Sequence, residues 1–266
     1  MIIDTHAHYD DEQFDVDREE LLTTLPEQGI EAVVSVGATL DSCKGALELA
    51  EKYDRVYATL GVHPDEASTL TDGYIDWMRT MVKESPIRDK IVAIGEIGLD
   101  YYWDKSEHEV QEHWFRTQMR LARELGLPVN IHSREAAADT WQVMKEEHLE
   151  EIGGIIHCYS YSWEMARNYL DAGFYLGIGG VVTFKNAKKL KEVVEKAPLD
   201  RLVLETDCPY LAPEPFRGKR NCSSHLQYVA QGIATLKGIT PEEVIARTRE
   251  NALTVYPKLR AHLERN

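Results

Sequence analysis

The chain has 266 residues, and its 45 acidic side chains against 30 Lys and Arg give a formal net charge of −15. That balance excludes tight, extended binding along a nucleic-acid duplex, which needs a basic face, but not an enzyme that takes one phosphate into a metal pocket. A hydrophobic share of 43% is enough for a substantial core, and the longest weakly polar stretch, 173–184, is too short and too rich in glycine to span a bilayer. Without a charged, apolar leader, no secretion signal is expected. Cys43, Cys158, Cys208 and Cys222 show no C-x-x-C spacing and are expected as free thiols in a reducing cytoplasm.

Short apolar runs alternate with amphipathic, charged ones along the whole chain. The first predicted strand, 2–6, runs into Asp4-Thr5-His6-Ala7-His8. Strand side chains alternate faces, so Asp4, His6 and His8 are expected on one face with the two imidazoles adjacent. Further strands are predicted at 32–38, 56–62, 91–97, 128–133, 154–158, 174–180 and 201–207. Helices are predicted between them, among them 42–53, 107–126, 135–148, 162–172 and 186–196. Gly29, Gly126 and Gly173 sit where helix C-terminal ends are expected, and Asp41 and Ser162 are plausible N-caps. Eight strands alternating with eight helices in a chain of this length predict a (β/α)8 TIM barrel as a single domain, 1–266.

Active sites of such barrels lie at the C-terminal ends of the strands. There the sequence places His6 and His8, then Glu96 after Val92-Ala93-Ile94-Gly95, His132 after Val129-Asn130-Ile131, His157 after Ile155-Ile156, and Asp207 after Leu204-Glu205-Thr206. Four imidazoles and two carboxylates from strands distant in sequence form a donor set suited to divalent metals. Glu96 follows a wholly apolar strand, where an acid is costly to bury unless paired or metal-bound, and its two oxygens could bridge two cations. His132 and His157 end neighbouring strands and could serve a second ion. Glu205 is expected behind the ligands, and Asp4 either there, holding a histidine by a hydrogen bond, or in the barrel interior. Cys158 and Cys208, one residue past a proposed ligand, are expected to face away. Arg134, the run Arg217-Gly218-Lys219-Arg220 (Lys219 and Arg220 above all) and His63 are candidate phosphate contacts, and Tyr101-Tyr102-Trp103 could stack on bases.

Together these motifs resemble the TatD family of metal-dependent deoxyribonucleases, amidohydrolase-like barrels. The likeness rests on Asp4-Thr5-His6-Ala7-His8, Gly61-Val62-His63-Pro64, Ala93-Ile94-Gly95-Glu96-Ile97-Gly98-Leu99-Asp100, Asn130-Ile131-His132-Ser133-Arg134-Glu135, His157-Cys158-Tyr159-Ser160, Leu204-Glu205-Thr206-Asp207-Cys208-Pro209 and Arg217-Gly218-Lys219-Arg220-Asn221. It implies that His6, His8, Glu96, His132, His157 and Asp207 bind up to two divalent ions. It also implies a DNA substrate and 3′ to 5′ polarity. The chain departs from the family at Tyr161 and at Cys222-Ser223, both expected on substrate-facing loops.

The function expected is a deoxyribonuclease with two divalent ions (Mg, Mn, Zn, Co or Ni), in which Asp207 accepts a proton from the attacking water. An acidic chain grips a long duplex poorly and a barrel-mouth pocket built from several loops admits a flexible strand, which favours single-stranded ends over an intact duplex, hence an exonuclease. The competing reading is a metal-dependent hydrolase of an amide, a lactone or an aminoacyl ester on the same barrel; a non-catalytic scaffold is disfavoured by the intact donor set.

Overall fold

The computed structural model describes residues 1–265. Its centre is one sheet of eight parallel strands in sequence order: β1 Ile2–Ala7, β2 Ile30–Val36, β3 Val56–Leu60, β4 Ile91–Asp100, β5 Val129–Arg134, β6 Gly154–Ile156, β7 Tyr175–Ile178 and β8 Leu202–Leu204. The first and last strands meet beyond the end of β8. Asp207 N–H donates to the His6 carbonyl at 2.9 Å, and His8 N–H to that of Cys208 at 2.8 Å. The barrel is thus drawn together by the segment that carries the candidate ligands.

Parallel strands packed on both faces read as nearly continuous apolar runs, and β3 and β4 are buried at every position. Outward residues such as Val33, Ala58, Val129, Ile156, Leu176 and Leu204 join the large core beneath the helices. A smaller cluster takes Ile3, Val34, Tyr57, Val92, Ile155 and Val203 from inside the strands and adds Tyr256 and Leu259. The helices are α1 Arg18–Thr23, α2 Leu40–Lys52, α3 Asp72–Glu84, α4 His108–Leu125, α5 Ala137–Glu146, α6 Trp163–Asp171, α7 Lys188–Lys196, α8 Leu226–Lys237, α9 Pro241–Val255 and α10 Pro257–Leu263. Tyr256, between the last two, donates its hydroxyl to Asn130 Oδ1 at 2.7 Å inside the barrel. No helix among the described residues is long and apolar enough to cross a membrane.

Several boundaries differ from those the sequence predicts. Thr39, not Asp41, caps α2, because Thr39 and Ser42 exchange side-chain and backbone bonds in a capping box; Asp41 lies in the first turn. Ser162 caps α6 as expected. β6 and β8 stop at Ile156 and Leu204, so His157, Glu205 and Asp207 stand on loops; the Asp207 backbone has φ +56°. β4, by contrast, runs on to Asp100. Its extension pairs with β5 because Gly98, at φ +147°, lies against the His132 carbonyl, where any side chain would collide.

Candidate functional site

The strand ends converge on Glu96, which is 4% exposed and surrounded by imidazoles. His6 Nε2 and His8 Nε2 lie 3.3 Å apart. Glu96 Oε2 stands 3.4 Å from the first and 3.8 Å from the second, and Asp207 Oδ1 3.9 and 3.4 Å from the same two atoms. On the other side, Glu96 Oε1 is 2.9 Å from His132 Nδ1 and 3.9 Å from His157 Nε2, which in turn is 3.7 Å from Asp207 Oδ1. Donors about 2.0–2.2 Å from one ion sit about 3–3.5 Å from each other in tetrahedral or octahedral shells. The separations run from 2.9 to 3.9 Å, near that range, so the donor groups on either side of the Glu96 carboxylate are placed to hold a divalent cation after small side-chain shifts.

Hydrogen bonds behind His8 and His132, and an ion-pair contact behind His157, fix which nitrogen faces inward. His8 Nδ1–H donates to the Val36 carbonyl at 3.0 Å, which leaves Nε2 as the nitrogen turned toward His6. His132 presents the opposite nitrogen: Nε2–H donates to Asp100 Oδ2 at 2.9 Å, so Nδ1 faces Glu96. His157 turns Nδ1 to Glu205 Oε2 at 3.2 Å and Nε2 to the site. Two histidines of one candidate ion site thus turn different nitrogens inward, each backed by a buried acid. Glu205 also accepts from the Cys158 N–H, and the absence of a side chain on Gly177 makes its room: a Cβ there would collide with Glu205 Oε2.

Ionisation follows from this crowding. Burial opposes the charged form of Glu96, but the imidazoles around it, His63 and His6 first and then the hydrogen bonds from His132 and His6, hold its carboxyl well below the usual range. Burial likewise works against protonated His157, yet Glu205, Asp207 and Glu96 raise it to about 10; against the same burial, Asp207 with Glu96, and Asp100 with Glu96, raise His8 and His132 to about 9. Burial, then His157, lowers His6. The metal-free site therefore holds protons that a cation must displace.

The substrate-side expectations divide. His63 joins the cluster, its Nε2 3.7 Å from Glu96 Oε1 and its ring 4.2 Å from that of His132. Its Nδ1 accepts the Asp65 N–H at 3.1 Å, and burial beside His132 lowers its pKa to about 3. The neutral ring thus carries its proton on Nε2 and faces the site as a donor. Arg134 is exposed, its guanidinium 3.9 Å from the Tyr102 ring centre and 5.5 Å from that of Trp103; both rings are 55% exposed. Lys219 is exposed on the loop after β8. Arg220, expected at a phosphate, is committed elsewhere: it pairs with Asp17, donates to the Gln13 carbonyl at 2.6 Å and covers Phe14.

Asp4 also differs from expectation. A register irregularity between Asp4 and Ala7 breaks the simple alternation, and its carboxylate accepts from Thr206 N at 3.0 Å and from the Thr206 and Ser223 hydroxyls at 2.7 Å each, reaching neither imidazole. Burial raises it to about 7 against those bonds. It ties β1 to the segment after β8. Ser223 is consequently buried rather than substrate-facing. Tyr161 is half-buried and bonds Ser133 Oγ at 3.0 Å. Cys158, expected to face away, is close enough to the acids that burial, then Asp207, Glu205 and Glu96, push its thiol up; the chain turns there at φ +45°, so alternation no longer applies. Cys208 is buried as expected.

The model of the TatD-related DNase family matches residues 3–257. The chain belongs to the TatD family. Among TatD-family relatives, the Bacillus subtilis protein named "uncharacterized metal-dependent hydrolase YabD" is 48% identical over 256 residues, covering 96% of this chain and 99% of its own. A Cronobacter sakazakii protein named "3′-5′ ssDNA/RNA exonuclease TatD" is 35% identical over 253 residues, with 92% and 94% covered. The crystal structure of YjjV, a TatD homologue from Escherichia coli K12, superposes with a TM-score of 0.89 at 30% identity, covering 96% of this chain and 98% of that one. The TatD-family motif around Glu96 extends to Asp100, whose place behind His132 the strand-end pattern does not predict. The available signal was the spacing: Asp100 lies four residues after Glu96 on the same long strand, fully buried, its Oδ1 accepting the Tyr102 and Trp103 N–H groups at 2.9 and 2.8 Å.

Proposed function

We propose that this TatD-family chain is a divalent-metal-dependent hydrolase that cleaves phosphodiester bonds of DNA, as a 3′ to 5′ exonuclease acting on single-stranded ends. The observation that carries the reading is the two-sided environment of Glu96, Oε2 toward His6 and His8 and Oε1 toward His132 and His157. Family membership and the names of relatives as metal-dependent hydrolases support the hydrolase class, and one relative's name as an exonuclease supports the substrate. In this reading His6, His8 and Asp207 would hold one ion and His132 and His157 the other, with the Glu96 carboxylate facing both groups of donors. When bound, such a pair supplies Lewis acidity toward the scissile phosphate and makes water acidic enough to attack near neutral pH.

The chain's own groups do the rest. Asp207, 19% exposed at its side chain against 5% for Glu96, is the acid open to the mouth and takes the proton of the attacking water. His63 donates its Nε2–H to a non-bridging phosphate oxygen. Arg134, layered on Tyr102 and Trp103, offers a cation and two aromatic faces to a flanking nucleotide, worth about 1–3 kcal/mol per stacked base. Unpaired thiols at all four cysteines fit work in a reducing cytoplasm.

The test compares chelated protein, reconstituted with each divalent metal, on end-labelled linear single strands, covalently circular ones, and a panel of amide, lactone and aminoacyl esters. Metal-dependent shortening of linear strands from the 3′ end, with circles spared, is expected. Cleavage of circles at the linear rate makes the protein an endonuclease, and turnover confined to carbonyl substrates replaces the phosphodiester reading.

A further inference from the structure

The lysines at the start of α7 have no part in the site around Glu96. Residues 179–191 contain Lys185, Lys188, Lys189 and Lys191 and no acid, within a chain of net charge −15. α7 follows β7, so its first turn lies at the face of the barrel where the candidate ligands gather. Acids are favoured at a helix N-terminus and cations disfavoured. Each of α2 to α6 has an acid in its first turn; α7 has none and places lysines there instead.

A second group of cations adjoins the first. The loop after β7 rests directly on the loop that carries Asp207: Gly180 is packed so closely on the Leu211 carbonyl that a Cβ would collide with it. Glu214 N–H donates to Thr183 Oγ1 at 2.9 Å, and the Arg217 guanidinium covers the Phe184 ring at 4.3 Å. These contacts put Arg217 and the Lys219 loop beside Lys185. Lys185, Lys188, Lys189, Arg217 and Lys219 are all exposed, and none forms an ion pair among the described residues. The cations come from the loop after β7, the first turn of α7 and the loop after β8, an extended set that suits a row of phosphates better than one terminal phosphate.

We propose that this row is a backbone track for a single nucleic-acid strand, running from the β8 loop across the first turn of α7 and holding phosphates beyond the one being cleaved. The proposal rests on the phosphodiester reading for its orientation toward the site, but its binding can be measured without turnover. It reconciles a strongly acidic chain with a polyanionic substrate: attraction is local, along one edge of the mouth, while the remaining surface repels.

The test measures anisotropy of a fluorescent oligothymidylate with metal-free protein over a range of salt. The proteins are wild type, the triple variant Lys185→Glu, Lys188→Glu, Lys189→Glu, and a control that reverses Lys44, Lys52 and Lys83 on α2 and α3 for the same change of net charge. Each phosphate left without its cation lowers the single-strand salt slope by about 0.7, so the triple variant is expected to fall by about 2 in slope and on the order of 100-fold in affinity near 0.1 M salt. The control is expected to bind nearly as wild type. Equal losses in both variants, unchanged binding in the triple variant, or no wild-type binding would each overturn the track. Hydrolysis of a small aryl phosphodiester by the metal-loaded wild type reads the catalytic reading separately, so a failure there with the track intact, or the reverse, is recognisable.

Discussion

Replacing Asp100 gives the sharpest test of how the ligand rings are oriented. Its carboxylate is fully buried, with Oδ1 engaged by two backbone N–H groups and Oδ2 by His132 Nε2–H. In Asp100→Asn, an amide whose oxygen stays on the backbone donors must turn its NH2 against His132 Nε2–H. Two donors then face each other, and the ring escapes by moving its proton to Nδ1, the atom that faces Glu96. The flipped amide orientation instead strands both backbone donors. Loss of a charge-assisted hydrogen bond costs about 1.5–3 kcal/mol, or roughly 10- to 150-fold at about 1.4 kcal/mol per decade. That agrees with the roughly 10- to 100-fold typical of groups behind a ligand. Asp100→Ala leaves the ring free to keep either proton, so it is expected to be the milder change. Metal titration by calorimetry should show one of two binding events weakened in Asp100→Asn and less so in Asp100→Ala, and the imidazole 15N shifts of metal-free protein, read above the His132 pKa of about 9 where the ring is neutral, should report the tautomer change. Wild-type affinity and an unchanged His132 tautomer in Asp100→Asn would refute the reasoning.

Glu96→Gln should reduce bound metal by elemental analysis far more than His63→Ala, because Glu96 faces both groups of donors whereas His63 Nδ1 is already taken by Asp65 N–H; equal losses would undo the bridging assignment. Gly177→Ala forces the Glu205 carboxylate off its position under His157, and a loss of about 1–3 kcal/mol in stability is expected by denaturant titration, with weaker metal binding; unaltered values would mean the carboxylate has room that the structure denies it. For metal-free protein, the pKa values of His8, His132 and His157 are raised from 6.5 to about 9, 9 and 10. Their contribution to stability is therefore complete below pH 6.5 and lost as pH rises through 9 to 10, while metal affinity grows over the same range. Thermal melts with and without metal across that window check both signs, and a metal-free Tm that rises with pH there would contradict them.

The barrel was legible in the sequence because parallel strands buried on both faces leave unbroken apolar runs, and because His6, His8, Glu96, His132, His157 and Asp207 each punctuate the end of one. What was not legible depends on where strand geometry stops. β8 ends at Leu204, so the alternation that grouped Glu205 with Asp207 has no backbone to act on, although the two still reach the same imidazole. Asp4 escapes its expected face through a register irregularity that no local pattern announces. Arg220 read as a phosphate contact because its partner, Asp17, is 203 residues away. Asp100 lay hidden because the run that carries it was expected to end at residue 97, whereas the strand continues through Gly98.

The measurement that bears most directly on the proposed two-metal site is a stepwise metal titration of chelated protein, following bound equivalents and hydrolysis of an end-labelled single strand in the same samples. Two equivalents per chain are predicted, with cleavage appearing as the second binds and both events lost in Glu96→Gln. Saturation at one equivalent with full activity, or two bound equivalents with no phosphodiester cleavage on any strand, would contradict it.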